Sequence, residues 1–182
     1  MKCLLFAGAT NTGKSKSIYN LAKYLIKEKG YKFKNPEEGF IEIKEDGKKY
    51  LNGRYLENTK KRKSEKDVAG LMTNGKGFKI IIQSYNDSPN CLNQIETRLK
   101  NYPKADLLII ANRNKADHND DEKNMHLMTN TLLDSYAINP RIEIPLGRML
   151  KANKRDIDLE WYSNSILQLS KNSLDILLFP NH

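Results

Sequence analysis

The residues best suited to chemistry lie close to the amino terminus, in the segment GATNTGKS. Two glycines, Gly8 and Gly13, are followed directly by Lys14 and the hydroxyl of Ser15. Glycines let a loop wrap tightly, so that successive backbone N–H groups point at one anion. A helix that begins near Gly13 would direct its positive end at the same anion. The spacing predicts a phosphate-binding loop formed by Gly8, Ala9, Thr10, Asn11, Thr12, Gly13, Lys14, Ser15 and Lys16.

This segment fits G-x-x-x-x-G-K-[ST], with a strand-like apolar run before it and a helical pattern after it. In its motif and in the elements on either side of it, the segment resembles the P-loop (Walker A) NTPase superfamily, which includes small ATP-binding proteins and nucleotide kinases. The resemblance is close over residues 3–29 and looser over 78–178. It implies that the chain binds a nucleoside triphosphate with Mg²⁺ and transfers or hydrolyses a phosphoryl group. Lys14 would reach the β- and γ-phosphates as a catalytic residue, and Ser15 would join the Mg²⁺ shell.

Such a site also needs a carboxylate near the end of a neighbouring strand to hold Mg²⁺. Asp87, just beyond the predicted strand of residues 78–84, is the candidate for this metal-binding and catalytic role. The alternative is that Asp87 caps the helix that follows. Four residues, 83–86, separate it from the apolar run, and no glutamate follows it as a water-activating base. This pattern argues against fast, motor-type ATP hydrolysis.

Arginines supply the next candidates. Arg113 follows the apolar strand DLLIIAN and could stabilise charge on a transferring phosphoryl group as a third catalytic residue, although it could also be a surface arginine. Arg141, Arg148 and Arg155 are weaker candidates, and residues 146–155 could form a basic lid. His126 is predicted to be a residue of a helix surface.

Residues 114–117 spell N-K-A-D, which resembles the guanine-recognition motif of GTPases. The D-x-x-G element of those proteins is absent, because Ser88 follows Asp87 and Pro89 and Asn90 come next. ATP is therefore the expected nucleotide. The acidic run of residues 117–121 lacks the alternating acids and the glycine of a calcium loop, and we interpret it as a solvated loop.

Apolar strands alternate with amphipathic helices along the chain, which predicts an α/β three-layer sandwich with a mainly parallel central sheet. Hairpins between residues 39 and 84 would add antiparallel strands at one edge, and a single P-loop NTPase-like domain is expected over 1–182. The helix after the loop should bury Ile18, Leu21, Ala22, Leu25 and Ile26, which fall on one face. We predict strands over 2–7, 40–44, 68–73, 78–84, 106–111 and 141–145, and helices over 15–29, 88–101, 121–136 and 156–178.

The chain has 182 residues and a formal net charge of +9, which favours anionic partners. The basic run Lys60, Lys61, Arg62 and Lys63 could bind nucleic acid or could be a flexible charged loop. No apolar run approaches the roughly 18 residues that span a bilayer. The amino terminus also lacks the pattern of a signal peptide. We therefore expect a cytoplasmic location and no membrane partner.

Three functions fit these observations. The first is a small kinase-like phosphotransferase, with a small molecule or a nucleotide as acceptor. The second is a slow ATPase switch that acts with a protein or nucleic-acid partner. The third is a nucleotide-binding module without catalysis.

Overall fold

The most apolar segments of the chain form the strands of a central sheet. The computed structural model describes residues 1–9, 12–34, 41–45, 48–51, 54–55, 67–113, 120–147 and 156–178. In chain order the elements are β1 (Lys2–Gly8), α1 (Lys14–Lys29), β2 (Lys32–Phe33), β3 (Ile41–Ile43), β4 (Lys49–Leu51), β5 (Arg54–Tyr55), β6 (Ala69–Thr73), β7 (Lys79–Gln83), α2 (Pro89–Asn101), β8 (Leu107–Asn112), α3 (Asp120–Ser135), β9 (Arg141–Leu146) and α4 (Asp156–Leu178).

Six strands pair in the order β2-β6-β7-β8-β1-β9. The four strands β7, β8, β1 and β9 are parallel, whereas β6 is antiparallel to both of its neighbours. Every residue of β8 is buried, as expected for a strand that lies inside a sheet covered on both faces. The predicted α/β class and mainly parallel sheet are therefore confirmed.

Two apolar cores lie on opposite faces of this sheet. Because side chains alternate along a strand, Leu4 and Phe6 of β1 belong to one core, whereas Cys3 and Leu5 belong to the other. The first core also contains buried residues of α1 and α4, and the second contains buried residues of α2 and α3. Helices thus cover both faces, which gives the predicted three layers.

Helix α1 buries the apolar face that the sequence predicts, formed by Ile18, Leu21, Ala22, Leu25 and Ile26. It ends at Gly30, whose φ of 67° lies in the left-handed region and whose N–H donates to the carbonyl of Leu25. Glycine adopts this conformation without the steric cost of a Cβ atom, so it stops the helix cleanly.

The predicted hairpins have two different outcomes. Strands β6 and β7 form a hairpin that extends the central sheet with an antiparallel strand, as expected. Strands β3 and β4 also form a hairpin, but they belong with β5 to a separate three-stranded sheet, so this part of the edge prediction is wrong. The physical reason is that β2 pairs with the outer side of β6, while Ile43 of β3 is buried in the core beside α1.

Each helix and strand predicted with bounds is present within one residue of them. Strand β4 was expected only as the second strand of a hairpin, without bounds, and β2 and β5 were not predicted. In the part of the chain that the structure describes, no helix has both the length and the apolar character needed to cross a bilayer. The single domain over 1–182 stays a prediction.

We expect Leu21→Ala to lower the free energy of unfolding by about 2–5 kcal/mol, because Leu21 is fully buried and truncation leaves a cavity. The matched control is Leu127→Ala on α3, where the side chain is 64% exposed and the change should be below about 0.5 kcal/mol. Urea denaturation followed by circular dichroism measures both. Equal losses would contradict the assignment of α1 to the core.

Candidate functional site

The predicted phosphate-binding loop lies where the sheet forms a crevice. The parallel strands β1, β7, β8 and β9 end at the same edge. The neighbours β1 and β8 lead to helices on opposite faces, because α1 packs in one core and α3 in the other. Their connecting loops therefore diverge at this point. Ligands of open α/β sheets bind in such a crevice, at the carboxyl ends of the strands where the chain direction switches.

Gly8 ends β1 in a place with no room for a side chain. A Cβ atom at this position would lie 2.5 Å from Oγ1 of Thr12 and 2.8 Å from the carbonyl oxygen of Leu146 on β9. Both distances are shorter than real Cβ contacts. The first glycine of the motif is therefore required by the close approach of the loop to β1 and β9.

Gly13 is required for a different reason. It is the N-cap of α1 with a φ of 90° and a ψ of 15°, and no atom lies within 4 Å of the place that a Cβ would occupy. Its role is the backbone conformation itself, which turns the loop into the helix. The first helical hydrogen bond follows at once, from the N–H of Ser17 to the carbonyl of Gly13 at 2.9 Å.

Lys14 turns its side chain back over the loop that precedes it. The side chain is buried, and Nζ donates to the carbonyl oxygens of Gly8 at 2.6 Å and Ala9 at 2.7 Å. The hydroxyl of Thr12 also donates to Ala9, at 2.9 Å. These bonds hold a positive charge inside the loop at the amino end of a helix, where an anion is favoured. Lys16 is exposed, and Thr10 and Asn11 lie outside the described residues.

Ser15 connects the loop to β7, although β8 separates β7 from β1 in the sheet. Its hydroxyl donates to the carbonyl oxygen of Ser84 at 2.9 Å. Ser84 directly follows β7, and its own hydroxyl donates to Oδ1 of Asp67 at 3.0 Å. The Ser15 hydroxyl thus contacts the end of β7. The sequence predicted a metal-binding carboxylate after this strand, but the residue at this contact is a serine.

Asp87 and Arg113, both predicted site residues, form an ion pair with 2.5 Å between Oδ1 and Nη2. The Arg113 side chain is 8% exposed and that of Asp87 is 63% exposed, so the guanidinium is not on the surface. The N-cap of α2 is Ser88, which leaves the capping alternative for Asp87 without support. A buried guanidinium paired with an exposed carboxylate places a fixed positive charge beside the end of β8.

A polar network behind Arg113 was not predicted. In this network, Nδ1 of His126 lies 2.9 Å from the carbonyl oxygen of Arg113, to which it can donate. It is half-buried, so the interpretation as a plain helix-surface residue is wrong. The Asn112 side chain accepts from the N–H of Arg113 at 2.9 Å, and buried Asn86 donates to Thr129 at 2.9 Å. Polar residues directly after two apolar strands were the available sequence signal.

Other candidates lie elsewhere. Arg141 begins β9, at the edge of the sheet opposite the loop, where it pairs with Asp134 at 2.5 Å, so its assignment to the site is wrong. The remaining predicted residues and segments fall outside the described residues. These are Arg148, Arg155, the lid beyond Gly147, residues 114–119 with the N-K-A-D motif, and the basic run Lys60, Lys61, Arg62 and Lys63.

Tyr19 lies one turn after Ser15 on α1 and is largely buried. Burial raises the pKa of its phenol, and the ammonium of Lys49 lies 5.1 Å from the centre of its ring. The phenol therefore stays neutral at physiological pH and packs the small sheet against α1. We assign it no chemical role.

The residues present suit a triphosphate and a hard cation. The loop holds a buried lysine, a glycine whose Cβ would fill the turn, and a helix start. The oxygen atoms at Ser84 are the Ser15 hydroxyl and the Asp67 carboxylate, and Mg²⁺ prefers oxygen ligands of these kinds. Among the described residues, no group of three or more His, Cys, Asp or Glu side chains is placed to hold a metal ion.

Comparison with known proteins adds no assignment. No family model, no curated protein and no solved structure matches this chain.

We expect Gly8→Ala to lower the free energy of unfolding by about 1–3 kcal/mol, since the added methyl group would overlap Thr12 and the Leu146 backbone. Gly75→Ala is the matched control, because no atom lies within 4 Å of its Cβ position and its effect should stay within about 0.5 kcal/mol. Thermal and urea unfolding measure both variants. A Gly8→Ala protein as stable as the parent would contradict the close approach described above.

Proposed function

We propose that the chain is a P-loop NTPase-like domain that binds ATP with Mg²⁺ through residues 8–16 and transfers its terminal phosphoryl group. The observation that carries this proposal is the position of Lys14. Its ammonium is buried against the carbonyls of Gly8 and Ala9, at the carboxyl end of β1. A positive charge held at a helix start beside the carboxyl ends of parallel strands suits the binding of a phosphate chain.

The bound ATP would supply a phosphorus atom open to attack, with Mg²⁺ neutralising its oxygens. Lys14 would bind phosphate oxygens in exchange for its present carbonyl partners. The first-turn amides of α1 would orient the same phosphates, and the Ser15 hydroxyl would face the cation. Arg113, held by Asp87, would stabilise negative charge that develops on the transferring group. The sequence pattern predicts Asp87 as a metal ligand, whereas its partner in the structure is Arg113.

Phosphoryl transfer to a small molecule or a nucleotide is the form of this function that we favour. A slow ATPase switch that acts with a protein or a nucleic acid is the second candidate, and the net charge of +9 favours it. The two candidates share the same nucleotide site and differ in what accepts the phosphoryl group. ATP is preferred over GTP on the sequence pattern alone.

We expect Lys14→Ala to weaken ATP binding by about 10- to 100-fold, because a charge-assisted hydrogen bond contributes about 1.5–3 kcal/mol. Lys27→Ala is the matched control, since Lys27 is an exposed lysine near the other end of α1. Isothermal titration calorimetry with ATP and MgCl₂ measures the affinities, and circular dichroism verifies the fold. Unchanged ATP affinity in Lys14→Ala would contradict the proposed site.

The reaction itself is tested by following ADP and phosphate release with purified protein, ATP and Mg²⁺. We expect ADP to form only when a nucleoside, a nucleotide or another small acceptor is added, and phosphate release without an acceptor to be slow. Phosphate release that DNA or RNA stimulates would favour the switch instead. ATP binding without turnover under all of these conditions would leave only a nucleotide-binding module.

A further inference from the structure

The strand that meets Ser15 ends without an acid. The apolar residues of β7 lead to Gln83 and Ser84, and the Ser84 carbonyl accepts the hydrogen bond of the Ser15 hydroxyl at 2.9 Å. A carboxylate is needed close to this hydroxyl if a divalent cation is to be held there. The first carboxylate after Ser84 is Asp87, and its described partner is Arg113.

The antiparallel neighbour of β7 brings another acid to the same edge. Because β6 runs opposite to β7, its beginning lies beside the end of β7, and Ala69 pairs with Gln83. Asp67 comes just before β6 and is half-buried. Its position in the sequence alone would not have indicated Asp67, because it precedes a strand. A metal-binding acid is expected after a strand.

A fixed set of hydrogen bonds holds Asp67 in this place. The N–H of Ser84 donates to the carbonyl of Val68 at 2.9 Å, and the N–H of Val68 donates to the Ser84 hydroxyl oxygen at 3.0 Å. The hydroxyl hydrogen of Ser84 is then directed at Oδ1 of Asp67, 3.0 Å away. One residue, Ser84, therefore contacts Ser15 through its backbone and Asp67 through its side chain.

Asp87 has a different environment. It lies 2.5 Å from a guanidinium that is almost fully buried. Moving its carboxylate to a cation would break a close ion pair with that buried charge, which is unfavourable. Asp67 has a hydroxyl as its described partner, so a cation near Ser15 adds an attraction for its carboxylate without breaking an ion pair.

We propose that Asp67 is the positioning carboxylate for the divalent cation that accompanies ATP at Ser15, acting through Ser84 and the hydration shell of the cation. Mg²⁺ keeps several of its waters in proteins, so a carboxylate in the second layer around it is sufficient. This inference rests on the proposed function. It assigns to the beginning of β6 a role that the sequence pattern gave to Asp87.

The test is the gain in ATP affinity that Mg²⁺ produces, which is a coupling between two ligands. Calorimetric titrations of ATP are made in MgCl₂ and again in EDTA, with the parent protein, Asp67→Asn and Asp87→Asn. The matched control is Asp134→Asn, an exposed acid that pairs with Arg141 away from the site. We expect Asp67→Asn to reduce the Mg²⁺ gain at least about tenfold while ATP affinity in EDTA stays within about twofold. Asp134→Asn should keep the gain of the parent, and Asp67→Glu, which keeps the charge, should restore most of it.

Each other outcome has a defined meaning. A full Mg²⁺ gain in Asp67→Asn, or an equal loss of affinity in MgCl₂ and EDTA, would overturn the inference and leave the ATP site standing. Loss of the gain in Asp87→Asn alone would assign the role to Asp87. Failure of the parent protein to bind ATP in either buffer would instead overturn the proposed function.

A second variant covers the case in which Asp67→Asn does not fold, as judged by circular dichroism. Ser84→Ala removes the hydroxyl that directs Asp67 and leaves its carboxylate in the chain. We expect it to lower the Mg²⁺ gain about threefold or more, with ATP affinity in EDTA unchanged. A parent-like gain in Ser84→Ala would then overturn the inference.

Discussion

The contact between the Lys14 ammonium and the carbonyls of Gly8 and Ala9 is the interaction on which the arrangement of the site depends. A cation that is buried must be hydrogen-bonded, because its desolvation is otherwise far too unfavourable. Gly8, which provides one of these carbonyls, has no room for a Cβ atom beside Thr12 and Leu146. The close approach of β1 to β9, the turn of the loop and the burial of a positive charge are therefore one constraint rather than three separate features.

From this loop the site extends across the sheet through Ser15. Its bond to Ser84 links α1 to the end of β7, with β8 lying between β1 and β7. Two carboxylates then lie near that strand end in unlike environments. Asp67 accepts a bond from a hydroxyl, whereas Asp87 is paired with the buried guanidinium of Arg113. We infer that the two acids have separate tasks, one toward the cation and one toward the arginine.

The sheet explains why these groups meet. Four parallel strands end at one edge, and the single reversed strand, β6, contributes its beginning to that same edge. Polar residues gather there: Ser84 follows β7, Asn112 ends β8 and Arg113 follows it, and His126 on α3 contacts the Arg113 carbonyl. At the opposite end of the parallel strands, Arg141 forms an ordinary ion pair with Asp134. Arg113 and Arg141 look alike in the sequence, but they lie at opposite ends of the parallel strands, because Arg113 follows a strand and Arg141 begins one.

The sequence by itself determined the helices, the principal strands and the loop around Lys14. These depend on local patterns, namely apolar periodicity, glycine positions and residue order over short distances. It could not decide which strands would be neighbours, because pairing is set by contacts between residues far apart in the chain. For that reason it assigned β3 and β4 to the edge that β2 occupies, and it sought an acid after β7 rather than before β6. Only the tertiary structure brought Asp67 to Ser84, by pairing β6 antiparallel to β7, and Arg113 to Asp87, by pairing β7 parallel to β8.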